Sequence, residues 1–246
     1  MQTLTRLTLI ETKLFFREPA GVFFALVFPP LLLVILGLVP TFREPNADLG
    51  GLRVIDLYTP IIITMAIAIF TLNGLPQMFA TYREKGILRR MATTPVRPAA
   101  LLGAQLLMCV AMALAVLVML LAIAGLVYDV TLPRQVPAYA LGYVLCVLAM
   151  LTMGLLVASL APNGKAAGAI GTVLFFPVLF FAGLWIPRES MPALLQRISD
   201  FTPLGAGVQS LSDAAAGHWP QLLHVAVMLG WTLVAGGLAA RYFRWE

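Results

Sequence analysis

The sequence predicts an all-α polytopic membrane protein with six transmembrane helices. Composition points there first: 61% of the 246 residues are hydrophobic and 11% are charged, where a soluble domain carries about 25% charged residues. Six apolar runs follow one another, each close to the roughly 20 helical residues that cross a hydrocarbon core. They span 21–39, 57–80, 99–127, 136–160, 166–186 and 222–240, and none contains Asp, Glu, Lys or Arg. The runs are too long and too little alternating for barrel strands, so helices must satisfy the backbone in lipid.

Charge asymmetry orients the chain. With the N-terminus inside, the segments 1–20, 81–98, 161–165 and 241–246 hold 11 of the 16 basic residues and 4 of the 11 acidic ones. The loops 40–56, 128–135 and 187–221 hold the other 5 basic and 7 acidic residues. The positive-inside rule then predicts N-in and C-in. The same rule accounts for the net charge of +5 without any nucleic-acid partner.

Taken in order, residues 1–18 place Leu4, Leu7, Ile10 and Leu14 at intervals of three and four, with Arg6, Lys13 and Arg17 off that stripe. This pattern predicts an amphipathic helix in the interface, its cations reaching lipid phosphates. Glu11, Lys13, Arg17 and Glu18 precede any apolar core, so no cleavable signal peptide is expected. The run 99–127 is the longest and is expected to tilt or project. Cys109 and Cys146 lie inside apolar runs and read as packing residues.

The stretch Thr81–Pro98, TYREKGILRRMATTPVRP, carries five of the basic residues between two apolar runs. Ile87 and Met91 are four apart and Leu88 and Met91 three apart, so they share a helical face away from the arginines. Pro95 and Pro98 stop the pattern. Such a helix lies at or beyond the membrane surface, and its apolar residues need a surface to dock into. The second informative stretch is 187–221, where Leu194, Leu195 and Ile198 suggest a short amphipathic helix and Pro203 breaks the chain. Residues 205–216 are then too short to cross, which predicts a re-entrant helical pair packed on protein.

Chemistry is sparse. Asn163-Gly164-Lys165 is followed by Ala166 and lacks the upstream glycine of a P-loop, and no H-E-x-x-H occurs. His218 and His224, the only histidines, sit near the start of the last run. Nothing reads as a catalytic or metal site. The spans contain no acid to bind a coupling ion or magnesium, so the energy for any transport is expected from a partner that binds the charged stretch.

These features together resemble the permease subunit of ABC-2 type transporters. The most specific part is the pattern R-E-x-G-x-x-x-R-x-x-x-T-P, here Arg83-Glu84-Lys85-Gly86, Arg90 and Thr94-Pro95. The resemblance covers essentially the whole chain and places it in the prokaryotic inner (cytoplasmic) membrane. It implies that 81–98 is a cytoplasmic coupling helix seated on a separate P-loop ATPase, which would hold ATP and magnesium; no cofactor is implied on this chain. By the same resemblance Ile87, Leu88 and Met91 are docking knobs, and Arg83, Glu84, Lys85, Arg89 and Arg90 their polar rim. A second permease copy, or a paralogous permease, completes the exporter. The short loop 40–56 resembles the compact branch that exports drugs, glycolipids or cell-surface polymers.

For a substrate pathway the candidates are Phe23, Phe24 and Phe28 in the first run, Asn73 and Gln77 in the second, and Phe175, Phe176 and Phe180 in the fifth. Aromatic faces accept varied apolar and cationic ligands, while lipid contact and helix packing explain them equally well. Small residues four apart (Gly154–Ala158, Gly164–Gly168, Ala167–Gly171) allow close helix approach, within the bundle or across a dimer. Two other readings stay open: an ion-driven or passive carrier, and a non-transport membrane scaffold.

Overall fold

The computed structural model describes residues 2–49, 51–87, 90 and 98–242. Helices account for most of the described backbone, and an isolated bridge between Pro45 and Arg53 is the only β pairing among the described residues. In chain order they are α1 (Gln2–Phe15), α2 (Pro19–Leu38), α3 (Val54–Glu84), α4 (Pro98–Tyr128), α5 (Val136–Leu160), α6 (Gly164–Ala182), α7 (Ala193–Asp200), α8 (Pro203–Ala216) and α9 (Leu222–Tyr242). Six of these are long and apolar enough to cross a membrane: α2, α3, α4, α5, α6 and α9.

Burial divides the six. Within their most apolar stretches α3 is 72% and α5 61% buried by protein, against 22–28% for the other four. The centre of the bundle is therefore α3 beside α5. Around them α9 lies along α5, α6 covers the C-terminal half of α3, α2 and α4 cover its N-terminal half, and α1 runs along α4.

Prolines shape two of the spans. In α2 a π-helical turn at Phe23–Val27 precedes Pro29 and Pro30. In α3 another at Ile69–Gly74 precedes Pro76. A proline ring supplies no N–H and crowds the preceding turn, and a widened turn makes room for it. The two π turns touch each other. The Leu75 N–H bonds to the Phe70 carbonyl, which takes the ordinary partner of Thr71, and Pro76 has no N–H for Leu72. The Thr71 and Leu72 carbonyls face Gly154 of α5 and Gly171 of α6, where any Cβ would overlap the oxygen. The small residues read from the sequence thus bring helices of one chain together, with Cα–H groups against the two carbonyls.

Helix ends depart furthest from the apolar runs in two places, by four residues each. The fifth run was read to residue 186, but α6 stops at Ala182, where Gly183 takes the left-handed conformation (φ 94°). Leu184 N then bonds the Leu179 carbonyl, closing the end as a glycine C-cap motif does. Hydropathy passed over the glycine because Leu184, Trp185 and Ile186 remain apolar. The second run was read to Ala80, but α3 continues to Glu84. Thr81–Glu84 therefore belong to the spanning helix, not to a separate one.

The 187–221 segment contains the two short helices α7 and α8. Thr202 caps α8 by accepting from Gly205 N at 3.1 Å, and α8 buries Leu204, Val208 and Leu211 against the bundle. Gly207 packs on Cys146, so close that a Cβ would lie 2.6 Å from its sulfur. Cys109 and Cys146 are buried free thiols.

Candidate functional site

The R-E-x-G stretch lies where α3 ends, and the geometry explains each of its letters. Gly86 has φ 64° and open space where a side chain would sit, so conformation alone selects glycine there. Its N–H bonds to the Arg83 carbonyl and Lys85 N to Thr81, which terminates α3. Beyond the glycine, Arg90 N returns to the Gly86 carbonyl at 3.1 Å and the Arg90 guanidinium to the Lys85 carbonyl at 3.1 Å. Lys85 and Arg90 are exposed and Ile87 is half-buried. Leu88, Arg89 and Met91, with the rest of 91–97, lie outside the described residues.

Arg83 and Glu84 turn back onto their own chain. The Arg83 guanidinium donates to the Ala161 carbonyl, just past the end of α5. Glu84 Oε2 accepts from the Gly164 N–H, at the start of α6, at 3.2 Å. A cation thus meets a helix C-terminus and an anion a helix N-terminus, as the helix dipoles favour. Below them Ala80, Ala161 and Ala167 form a small buried cluster of their own. Gly164 lets the α6 backbone come against Thr81 Oγ1, where a Cβ would overlap. Asn163 caps α6 by accepting from Ala166 N at 2.8 Å.

Beside this junction lies a group that periodicity did not suggest. Glu11 of α1 is only 5% exposed. It accepts from Tyr82 Oη at 2.8 Å and from the Gln105 amide of α4. Burial raises its pKa, and the two hydrogen bonds offset this only in part. The α1 stripe correspondingly leaves Ile10 and Leu14 exposed and turns Glu11 inward. One signal was present: Glu11 is the lone acid in the middle of α1, though its partners are 71 and 94 residues away.

The pathway candidates fall into separate groups. Phe23 and Phe24 are exposed on α2, with ring centroids 5.3 Å apart, and Phe28 follows at 6.0 Å from Phe24. On α6, Phe175 packs edge-on against Phe176, Phe176 tilts against Trp185, and Phe180 meets Phe181. Each of these ring pairs stays within one of the two groups. Asn73 Oδ1 accepts from Thr172 Oγ1 of α6 at 3.3 Å, and Gln77 approaches Gly168 of α6. Both therefore line the α3–α6 seam.

The opposite end of the bundle is tied by charged groups. Arg53 pairs with both Asp56 oxygens at 2.8 Å and donates to the Tyr128 and Asp129 carbonyls at the end of α4. Its pKa is raised, first by the hydrogen bond to Asp56. Tyr128 Oη donates to the Val34 carbonyl of α2, and the Arg43 guanidinium lies 5.0 Å from its ring centre. Arg188 forks onto Asp200 at 2.7 and 2.9 Å, and His224 Nε2 lies 3.4 Å from the same carboxylate. No metal-binding group of three or more His, Cys, Asp or Glu occurs among the described residues.

Comparison with known proteins bears on this arrangement. The sequence model of the family described as "ABC-2 type transporter" matches residues 2–215. The chain is also similar to the "Inner membrane transport permease YhhJ" of Escherichia coli (strain K12), and to the protein of that name from Shigella flexneri. Identity to each is 27% over 159 residues, which is 60% of this chain and 41% of the relative. The matched chain spans about two fifths of the length of those relatives.

Proposed function

The chain belongs to the ABC-2 type transporter family and is a membrane transport permease, and we propose that it is the membrane-spanning subunit of an ATP-driven exporter. In this reading a separate P-loop ATPase binds ATP and magnesium, and a second permease copy or a paralogous permease completes the assembly. The cargo is amphiphilic: a drug, a lipid, or a glycolipid or polymer. The chain sits in the prokaryotic inner membrane with both termini inside. On that orientation α1 lies in the inner interface, the stretch after α3 faces the cytoplasm, and α7 with α8 dips into the bundle from outside.

The observation that carries the proposal is the position of the R-E-x-G stretch, which closes the most buried helix of the bundle. Force applied there enters the centre of the protein directly. The six apolar runs carry no acid for a coupling ion, and no phosphate-binding loop occurs in these 246 residues, which supports energy arriving through a partner. Ile87, Leu88 and Met91 are the knobs of that docking surface and Lys85, Arg89 and Arg90 its rim. ATP binding closes the ATPase pair, the docked segments move with it, and the spans re-open outward.

The test is purification from native membranes in a gentle detergent. A stoichiometric P-loop ATPase should accompany the chain and be lost from Ile87→Asp/Met91→Asp. A chain that purifies alone and still transports without ATP would instead be an autonomous carrier. One that purifies alone and moves nothing would be a scaffold.

A further inference from the structure

We infer that Arg83 and Glu84, the first two letters of the R-E-x-G stretch, are positioning residues that join the docking segment to the α5–α6 turn. Movement of that segment is thereby delivered to α6 as well as to α3. The inference rests on the exporter reading and gives these side chains partners within their own chain, whereas the family resemblance places them on the rim.

Three observations carry it. The two adjacent side chains bind the two sides of one turn: Arg83 the Ala161 carbonyl and Glu84 the Gly164 N–H. A rim that served only a partner would need neither bond. The backbone beneath is packed through small residues, with Ala80, Ala161 and Ala167 buried together and Gly164 against Thr81. Alanine and glycine have no rotamers with which to absorb a displacement. Finally, Gly86 follows the pair after one residue, Lys85, and its left-handed backbone cannot continue α3. Everything before it moves with α3, and the pair is the last point from which α3 can grip its neighbours before the chain enters the docking segment.

The α3–α6 seam carries the same linkage further. Gln77 lies against Gly168 and Asn73 against Thr172, each one turn deeper than the last. A tug on Glu84 therefore acts along the side of α6 that faces α3, while α4 receives its share through the chain itself.

The experiment reads α6 and α4 separately in the complete complex. Val173 of α6 and Val118 of α4 are 69% and 66% exposed, so each can be changed to Cys and labelled with an environment-sensitive fluorophore. Cys109 and Cys146 are buried and stay unlabelled. A non-hydrolysable ATP analogue is then added to complexes in lipid nanodiscs. In Arg83→Ala/Glu84→Ala the ATPase should still co-purify and the α4 signal persist, while the α6 response falls about fivefold or more. Glu84→Gln alone, which keeps an acceptor oxygen, should restore most of it.

A second pair of variants tests the same contact from the other side. Gly164 follows the extended Asn163 (φ −153°, ψ 172°) at the first position of α6, where proline is tolerated. With Thr81→Ala to make room, Gly164→Pro removes the N–H that Glu84 accepts, whereas Gly164→Ala keeps it. The α6 response should be lost in the first and kept in the second. Equal α6 responses in all of these variants would overturn the inference. Loss of the ATPase from Arg83→Ala/Glu84→Ala would also overturn it, returning the pair to the docking rim and leaving the exporter reading intact. If no ATPase accompanies the wild-type chain, the exporter reading fails and this inference fails with it.

Discussion

The two ends of the bundle are held by different chemistry. At the far end from the R-E-x-G stretch, charged groups fork onto one another: Arg53 onto Asp56 and the last carbonyls of α4, Arg188 onto Asp200 with His224 beside it. These bonds are multidentate and span separate loops and helices. At the motif end Arg83 and Glu84 each make one hydrogen bond to a backbone end, over alanine and glycine packing, with the buried Glu11 on Tyr82 and Gln105 beside them. Charged forks are stiff in length and direction, whereas one bond to a carbonyl or an N–H can be remade after a small shift. On the exporter reading, the end proposed to receive a partner's movement is thus the end where the Arg83 and Glu84 contacts tolerate re-setting, and the far end ties Arg53 to α4 and Arg188 to Asp200.

The largest effect should come from the glycines between the two ends. Gly154→Ala and Gly171→Ala each drive a methyl into a backbone carbonyl. Each should cost about 3 kcal/mol, the upper range for overpacking. Gly230→Ala, with nothing within 4 Å, is the control and should be neutral or slightly stabilising. Thermal melting in detergent reads all three. If Gly154→Ala melts like the control, the π turn of α3 is not the close contact described.

Next come the charged forks. Asp200→Asn weakens the Arg188 fork and the His224 contact together, and should cost about 2 kcal/mol. Arg53→Ala should cost about 1–2 kcal/mol, because its side chain is partly exposed and water replaces some of the bonds. Glu84→Ala at the motif end should cost less than either, about 0.5–1 kcal/mol. An equal or greater cost at Glu84 would erase the contrast between the ends.

The smallest effect is in pH. Glu11 has its carboxyl raised above 4.5 by burial, so the folded chain holds this proton more tightly than the unfolded chain. Glu11's contribution to stability should then be fully present below about pH 4.5 and be lost as pH rises through the raised value. Glu11→Gln should remove that slope while keeping the Tyr82 contact. A slope that survives the substitution belongs to another group.

The spans were legible because hydropathy is a local property: a helix of twenty apolar residues is apolar whatever surrounds it. Element ends were less so. Gly183 and Gly86 stop α6 and α3 by backbone conformation, which hydropathy averages away. The motif stretch was legible as charged and amphipathic, but Leu88, Arg89 and Met91 fall outside the described residues, and the docking face remains a proposal. The pathway residues were legible only by type. Asn73 and Gln77 turned out to line a helix seam, because their neighbours on α6 are nearly a hundred residues away.

By itself the sequence determined an all-helical membrane chain with six candidate spans, and the family. Both rest on patterns within a few residues: long uncharged apolar runs and a short charged motif between two of them. Only the tertiary structure decided that α3 and α5 form the centre, that Glu11 is buried beside Tyr82 and Gln105, and that Arg83 and Glu84 grip the α5–α6 turn. Arg83 meets its partner across 78 residues and Glu84 across 80. No local pattern encodes such a distance, because it is the packing of whole helices that brings those backbone ends within reach.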